Sequence, residues 1–487
     1  MKDSKLPVLF VTSEVYPLIK TGGLADVSAA LPNALRNMGI DVRLLLPGYP
    51  VVLEQLSLIE VHENIRVFPL QEPVRLLAGI MPDGITPVYV VESPALYERE
   101  GGPYQDANGK SWYDNPLRFG ILSKIAAKFG QHHFLFKPQI IHCNDWQTGL
   151  VPAFLNFDSK REVKTLMTIH NMAYQGVFGP EIIALFGLPP ESFNISGLEY
   201  YGQVSFLKSG LYYSDWISTV SPTYAKEIQT PEYGCGLEGL LSQRQNKLSG
   251  ILNGIDTIAW NPESDPNIKN HYSIKKVVNK KRNTQALRTQ LNLAPTTAPL
   301  LGIITRLAEQ KGIDLLIPII PEIIKSGAQI VILGSGDKGL ESSLENLAKT
   351  YPKQMSVNIG YDEKLAHQIE AAANMFLMPS KFEPCGLNQI YSMRYGTIPI
   401  VRHTGGLADT VIDATLENIK NKTATGFVFD KASSDELLLC IQRALKLFHD
   451  EKKWTGLQVN GMSRDFSWKK RAEEYTSLYQ KILTDNT

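Results

Sequence analysis

The 487-residue chain carries 49 basic and 49 acidic side chains, so no bulk field draws it to nucleic acid or to an anionic membrane. Its length exceeds what one hydrophobic core usually organises, so two domains are expected. A hydrophobic share of 43% with 20% charged residues excludes a disordered or fibrous chain.

The first apolar run, in MKDSKLPVLFVTSEVYP, is short and lies close to Ser, Glu and Pro. It reads as a buried strand at 8–13 rather than a secretory signal, and the expectation is a soluble, cytoplasmic protein. Further strands are predicted at 42–46, 87–91, 139–143, 165–170, 216–220 and 249–253, separated by helix-like stretches such as LADVSAALPNALRNMG. Their continuous apolar character suits parallel strands covered on both faces. The longest irregular segment, 92–116, is expected to carry function or to move. Residues 253–273 are rich in Asn, Asp, Pro and Gly and read as a connection between domains. Strands then resume at 299–306, 329–334, 356–361, 375–380, 398–403 and 426–429. No run approaches the roughly 20 apolar residues of a membrane helix. The four cysteines are scattered, without metal-like or disulfide-like spacing.

The hexapeptide TGGLAD occurs twice, at Thr21–Asp26 and at Thr404–Asp409, each time after a strand and at the start of a helix. Open α/β sheets bind ligands at such carboxyl-end turns. Glycine permits close backbone approach, and free N–H groups of a first helical turn attract phosphate. One copy alone is explained equally well by a tight turn. Two copies, one per presumed domain, point to a shared ligand in a cleft. Lys20 precedes the first copy, and Arg306 and Lys311 follow the first strand of the second half. A lysine at a helix start opposes the dipole, so Lys311 needs another reason to be there; a diphosphate supplies one. Neither half contains a complete dinucleotide fingerprint or a P-loop, and no D-x-D pair or metal-ligand cluster is present, so no metal is expected.

Taken in order, SEVYPLIKTGGLADV, GGPYQDANGKSWYDNPLRF, HCNDWQTGL, TIHNMAYQG, NGIDTIAWNP, TRLAEQKG, PSKFEPCGLNQIYSMRYG and VRHTGGLADT resemble the bacterial glycogen synthase and plant starch synthase family over nearly the whole chain. The resemblance implies an α/β fold of GT-B type, with two facing Rossmann-like parallel-sheet domains and an inter-domain cleft. Residues 1–253 would form the acceptor-side domain and 254–465 the donor-side domain, with 466–487 a helix crossing back to the first. It also implies glucose transfer from ADP-glucose to the non-reducing 4-hydroxyl of an α-1,4-glucan such as glycogen, with retention and without a cofactor.

Carried over by motif, Lys20, Gly22, Gly23, Asp26 and Asn171 would line the donor site from the first domain. Arg306 and Lys311 would hold the diphosphate, Thr404, Gly405 and Gly406 would complete the cradle, and Tyr361 would cover the adenine. His170 would contact the sugar. Glu383 would bind sugar hydroxyls and support the transition state, with Cys385 and Gly386 beside it. Lys20, His170, Arg306, Lys311 and Glu383 form the expected catalytic set. Tyr97, Trp112, Asp145 and Trp146 are the acceptor-side candidates, Trp146 serving equally well as core.

The chain departs from the family pattern at Gln147, where a histidine is commoner, and at His403, where arginine is frequent. Tyr391 stands eight positions after Glu383, where many GT-B enzymes carry a second acid. Double displacement and front-face return therefore both stay open, as do UDP-glucose as donor, a non-catalytic sensor and the oligomeric state. Phosphorolysis would need a pyridoxal-phosphate lysine site, which is not recognised.

Overall fold

The computed structural model describes residues 5–158 and 161–485. The chain divides into two compact units, Met1–Gly254 with Trp468–Thr487, and Ile255–Ser467.

The first unit is built on a nine-stranded sheet, β1 (Pro7–Val11), β2 (Asp41–Pro47), β3 (Ile59–Ile65), β4 (Val74–Ile80), β5 (Pro87–Glu92), β6 (Ile140–Asn144), β7 (Lys164–Ile169), β11 (Trp216–Thr219) and β12 (Leu248–Gly250). Three short strands, β8 (Val177–Phe178), β9 (Glu199–Tyr200) and β10 (Gln203–Ser205), form a separate antiparallel sheet. The large sheet runs β12-β11-β7-β6-β1-β2-β5-β4-β3. Its strands are parallel from β12 through β5, and β4 and β3 are appended antiparallel. The chain therefore winds outward from β1 in both directions, and the strand order reverses between β1 and β6. All five residues of β6 are buried, as suits a central parallel strand covered on both faces.

The hairpin β3–β4 is absent from the sequence reading. Its outer strand, IEVHENI, is mostly exposed and alternates apolar with charged residues, so it gives little hydrophobic signal. Register shifts between Glu60 and His62 and between His62 and Ile65 irregularise this edge, a usual defence against edge-to-edge pairing.

The C-terminal helix Trp468–Thr484 belongs to the first unit and packs on the helix Gly23–Asn37. It buries Tyr475, Leu478, Tyr479 and Ile482. The Tyr479 hydroxyl lies 2.8 Å from His142 Nδ1, and Nε2 of the same ring lies 2.6 Å from Thr168 Oγ1. Burial pushes His142 down to about 3, so this ring is a neutral bridge between helix and sheet.

The second unit holds a six-stranded sheet, β13 (Leu300–Ile304), β14 (Gln329–Gly334), β15 (Met355–Ile359), β16 (Met375–Met378), β17 (Ile398–Arg402) and β18 (Phe427–Phe429). The order is β15-β14-β13-β16-β17-β18, parallel throughout. Numbered within the unit this is 3-2-1-4-5-6, the Rossmann order, with its reversal between β13 and β16. The core includes a large apolar cluster with Ile303, Ile332 and Ile441, a second with Leu300, Val331 and Phe376, and a smaller one with Ile268, Tyr272 and Tyr395. Side-chain caps start the helices: Asp337 accepts from Gly339 and Leu340 N–H at 2.9 and 3.0 Å, and Asp362 from Leu365 N–H at 2.8 Å.

Residues 255–273, expected to be a connection between domains, are instead packed parts of the second unit. Asp265 is fully buried and accepts bonds from Tyr395 at 2.6 Å and His367 at 2.8 Å. Burial alone would raise its pKa, but the bonds from His367 and Tyr395 and the Asn267 N–H outweigh it, and the carboxyl sits below its ordinary value. The Asn, Asp and Pro content that suggested a linker makes compact turns, as where Asp256 accepts from Ile258 and Ala259 N–H.

Candidate active site

In each unit the expected site residues collect at the carboxyl ends of strands beside the point where strand order reverses, the position at which open α/β sheets bind ligands. In the first unit these are the turn after β1, Asp145 after β6, and His170 and Asn171 after β7. In the second they are Arg306 to Lys311 after β13, Ser380 to Gly386 after β16, and Thr404 to Gly406 after β17.

The two TGGLAD loops do different work. In the first, Gly22 and Gly23 are exposed, and a Cβ on either would meet nothing within 4 Å. The carboxylate of Glu14 holds this loop, accepting from Thr21 N–H at 2.6 Å, Thr21 Oγ1 at 2.8 Å and Gly22 N–H at 3.3 Å. The N–H groups of Thr21 and Gly22, which precede the helix, are thus engaged by protein. Those of the first turn of the helix Gly23–Asn37 take no side-chain cap. Lys20 pairs with Asp26 at 2.7 Å, and its ammonium lies 5.5 Å from the Tyr16 ring centre.

In the second loop Thr404, Gly405 and Gly406 are buried. Gly405 has φ of +44°, and a Cβ there would stand 2.0 Å from the Glu383 carbonyl oxygen. A Cβ on Gly406 would stand 2.0 Å from the Cys385 carbonyl oxygen, and its N–H donates to the Glu383 and Pro384 carbonyls at 3.1 Å. These glycines are needed for close packing against the FEPCG turn, and the N–H of Gly406 is already bonded to protein. Gly386, with φ of +70°, completes that turn, and Gln389 Nε2 donates to the Cys385 and Gly386 carbonyls at 3.0 Å. Cys385 is buried and outside any disulfide, and its carbonyl is bonded within this turn.

Lys311 and Glu383 meet directly, with Nζ to Oε2 at 2.6 Å, and Ser380 Oγ donates to the same oxygen at 3.0 Å. Both side chains are largely buried, at 17% and 8% exposure, so each fixes the other and neither can be removed without leaving a charge in a desolvated place. Gly312, with φ of +69°, allows the turn behind Lys311; a Cβ there would stand 2.0 Å from the Pro379 carbonyl oxygen. Arg306 is exposed just beyond β13, and Tyr361 is 75% exposed just beyond β15. Arg402, which the sequence reading left out, braces the FEPCG turn by donating to the Ser380 carbonyl at 3.0 Å and to that of Lys381.

In the first unit Asp145 has φ of +54°, a left-handed conformation uncommon outside glycine. Its carboxyl accepts from His170 N–H at 2.7 Å and Asn171 N–H at 3.4 Å. Asp145 therefore shapes the TIHN turn. Burial pushes its pKa up to about 7, against the two backbone bonds that favour the carboxylate. Asn144 Nδ2 donates to the Val11 carbonyl at 3.0 Å, which leaves Oδ1 to accept from His170 Nε2 at 3.0 Å. Burial drives the His170 pKa down to about 3, so the ring is neutral, with the proton on Nε2 and Nδ1 an acceptor.

The acceptor-side aromatics divide. Tyr97 is 1% exposed, donates to the Arg118 carbonyl at 2.8 Å and cannot stack on a sugar, so its assignment is corrected to core. Trp146 packs among Phe119, Phe178 and Phe206, with centroids at 5.0, 5.7 and 6.4 Å, consistent with its alternative reading as core. Trp112 remains partly exposed, with Arg99 4.9 Å from its ring centre. Tyr391 is stacked on Trp260 at 3.8 Å, so the position of the absent second acid is filled by a packing residue. Among the described residues no group of three or more His, Cys, Asp and Glu is arranged to hold a metal, and no helix is long and apolar enough to cross a membrane.

Two units built on parallel sheets, each with glycine-containing turns beside its strand reversal, have the architecture of the GT-B class of glycosyltransferases. Comparison with known proteins bears this out. Residues 7–243 match the starch synthase catalytic domain family, and residues 286–455 match glycosyl transferases group 1. Glycogen synthases of Nitrosospira multiformis and Nitrosomonas europaea are each 49% identical, over 98% of this chain and 97% of theirs. The catalytic domain of starch synthase IV from Arabidopsis thaliana, bound to ADP and acarbose, superposes with a TM-score of 0.89 at 33% identity, covering 99% of this chain and 100% of that one. Sucrose-phosphate synthase from Thermosynechococcus elongatus shares the fold alone, with a TM-score of 0.59 at 19% identity. The chain belongs to the glycogen and starch synthase family.

Proposed function

We propose that this chain transfers glucose from ADP-glucose to the non-reducing 4-hydroxyl of an α-1,4-glucan, with retention, as a cytoplasmic enzyme of glycogen synthesis. The observation that carries the reading is the Lys311–Glu383 pair, held by Ser380 beside the reversal between β13 and β16, with exposed Arg306 on the neighbouring turn. Breaking the glucosyl–phosphate bond places negative charge on departing ADP and oxocarbenium character on the sugar. Arg306, Lys311 and Lys20 are the cations assigned to stabilise the first. Glu383 stabilises the second and accepts from sugar hydroxyls. A fixed donor aimed at developing charge contributes roughly 3–4 kcal/mol to such a step. Neutral His170 offers Nδ1 as an acceptor to a sugar hydroxyl, and Asn171 stands beside it. The exposed Tyr361 ring covers the adenine. Trp112 serves the glucan.

Retention by double displacement needs a carboxylate behind the anomeric carbon. The position eight residues beyond Glu383 holds Tyr391, stacked on Trp260, which favours front-face return through an ion pair, with ADP taking the acceptor proton. Trapping a glucosyl-enzyme adduct would refute that route. The activity itself is tested by offering glycogen with ADP-glucose and with UDP-glucose in parallel and following nucleotide release. Release from ADP-glucose, with much less from UDP-glucose, is expected; release from neither would refute the catalytic reading.

A further inference from the structure

The first TGGLAD loop is exposed over Thr21, Gly22 and Gly23. Gly22 and Gly23 carry no side chains, a Cβ on either would touch nothing, and two adjacent glycines have high conformational freedom. What fixes the loop is one buried carboxylate. Glu14 is 3% exposed and accepts three bonds from Thr21 and Gly22. Its own backbone is pinned, since Thr12 Oγ1 donates to the Glu14 carbonyl at 2.9 Å. The loop is closed against its helix where Tyr16 N–H donates to the Ala25 carbonyl at 3.1 Å.

A fourth bond reaches Glu14 from far along the chain. Tyr104, in the long segment after β5, donates its phenol proton to Glu14 Oε1 at 2.7 Å. The same phenol oxygen lies 2.7 Å from Ser13 Oγ, and with the phenol proton already given, Ser13 is the donor in that contact. The Tyr104 carbonyl in turn accepts from Trp112 N–H and Asn115 Nδ2, both at 3.0 Å. One carboxylate thus joins the glycine loop to the segment that carries Trp112.

We infer that Glu14 is a positioning residue for the donor loop, and that Tyr104 ties the order of that loop to the long segment after β5. This rests on the glucosyl-transfer reading, in which Gly22 and Gly23 line the donor site. Glu14 is bonded to the N–H groups of Thr21 and Gly22, so it sets the direction of the next peptide units without offering a charge to the ligand itself.

The test is a series of full-length variants, Thr21→Val, Tyr104→Phe and Glu14→Gln, each removing bonds to one carboxylate. ADP affinity is measured by calorimetry, and KM for ADP-glucose and for glycogen and kcat by nucleotide release. Melting temperatures are recorded alongside. ADP affinity is expected to weaken by about tenfold in Tyr104→Phe and Thr21→Val, and further in Glu14→Gln, with KM for glycogen within about twofold of wild type. The first two variants each remove one hydroxyl, so they keep the test open if Glu14→Gln folds poorly. A rise in glycogen KM at unchanged ADP affinity would overturn the inference, because it would mean that Glu14 or Tyr104 touches the acceptor. Unchanged ADP affinity throughout would also overturn it. A wild type that binds ADP but does not turn over ADP-glucose would instead refute the catalytic reading, while the calorimetric series would still decide the role of Glu14.

Discussion

Lys311 and Glu383 are each the other's nearest opposite charge in a mostly desolvated position, so substituting either one alone also costs fold stability. Exposed Arg306 and Lys20 separate chemistry from folding more cleanly. Asp145 gives a second residue-scale test. Its folded-state pKa of about 7 lies above the ordinary carboxyl value of 3.8, so the folded protein binds its proton more tightly than the unfolded chain does. The stability this contributes is complete below pH 3.8 and is lost as pH rises through about 7. Asp145→Asn keeps an oxygen for the His170 and Asn171 N–H groups and removes the titration. Wild-type stability relative to that variant should fall as pH rises from about 4 to about 7 in urea titrations. A difference that grows with pH would show that the carboxylate form is the one the fold prefers. Single residues were unevenly legible in the sequence. Lys311 declared itself by opposing a helix start, whereas Glu14 gave no signal, because its partners in the glycine loop and at Tyr104 are brought to it only by the fold.

The two copies of TGGLAD show how far identical sequence can diverge at the level of elements. The first stands open and is held from one side by Glu14; the second is packed against the FEPCG turn with no room for a methyl group. Substitutions should therefore separate. Gly406→Ala drives a Cβ to 2.0 Å from the Cys385 carbonyl oxygen, and Gly405→Ala adds an unfavourable φ. Each should lower stability by about 1–3 kcal/mol or more, visible as a fall in melting temperature. Gly22→Ala, at an extended φ of −156° with open space, should leave melting within about 0.5 kcal/mol of wild type while lowering turnover. Equal effects at the two loops would contradict this division of labour. Buried parallel strands were legible in the sequence where the apolar run is continuous, as in Ile330–Leu333 of β14. The hairpin β3–β4 and the packed turns at 255–273 were not, since one is an exposed edge and the other spends its polar residues on its own backbone and on buried partners such as His367.

For the whole molecule, the order of the motifs was legible, but the division of work within them was not. Each unit presents glycine-containing turns beside a strand reversal, and of the proposed catalytic residues Lys20 and His170 belong to the first unit and Arg306, Lys311 and Glu383 to the second. The account requires that Lys20 and Arg306 each act in the proposed glucosyl transfer. The most direct test is glucose transfer from ADP-glucose to glycogen by Lys20→Ala and by Arg306→Ala, each checked for a wild-type melting temperature. Each variant should lose on the order of 100-fold or more in turnover, with ADP release and glucan incorporation falling together. Full transfer by either well-folded variant would contradict the account.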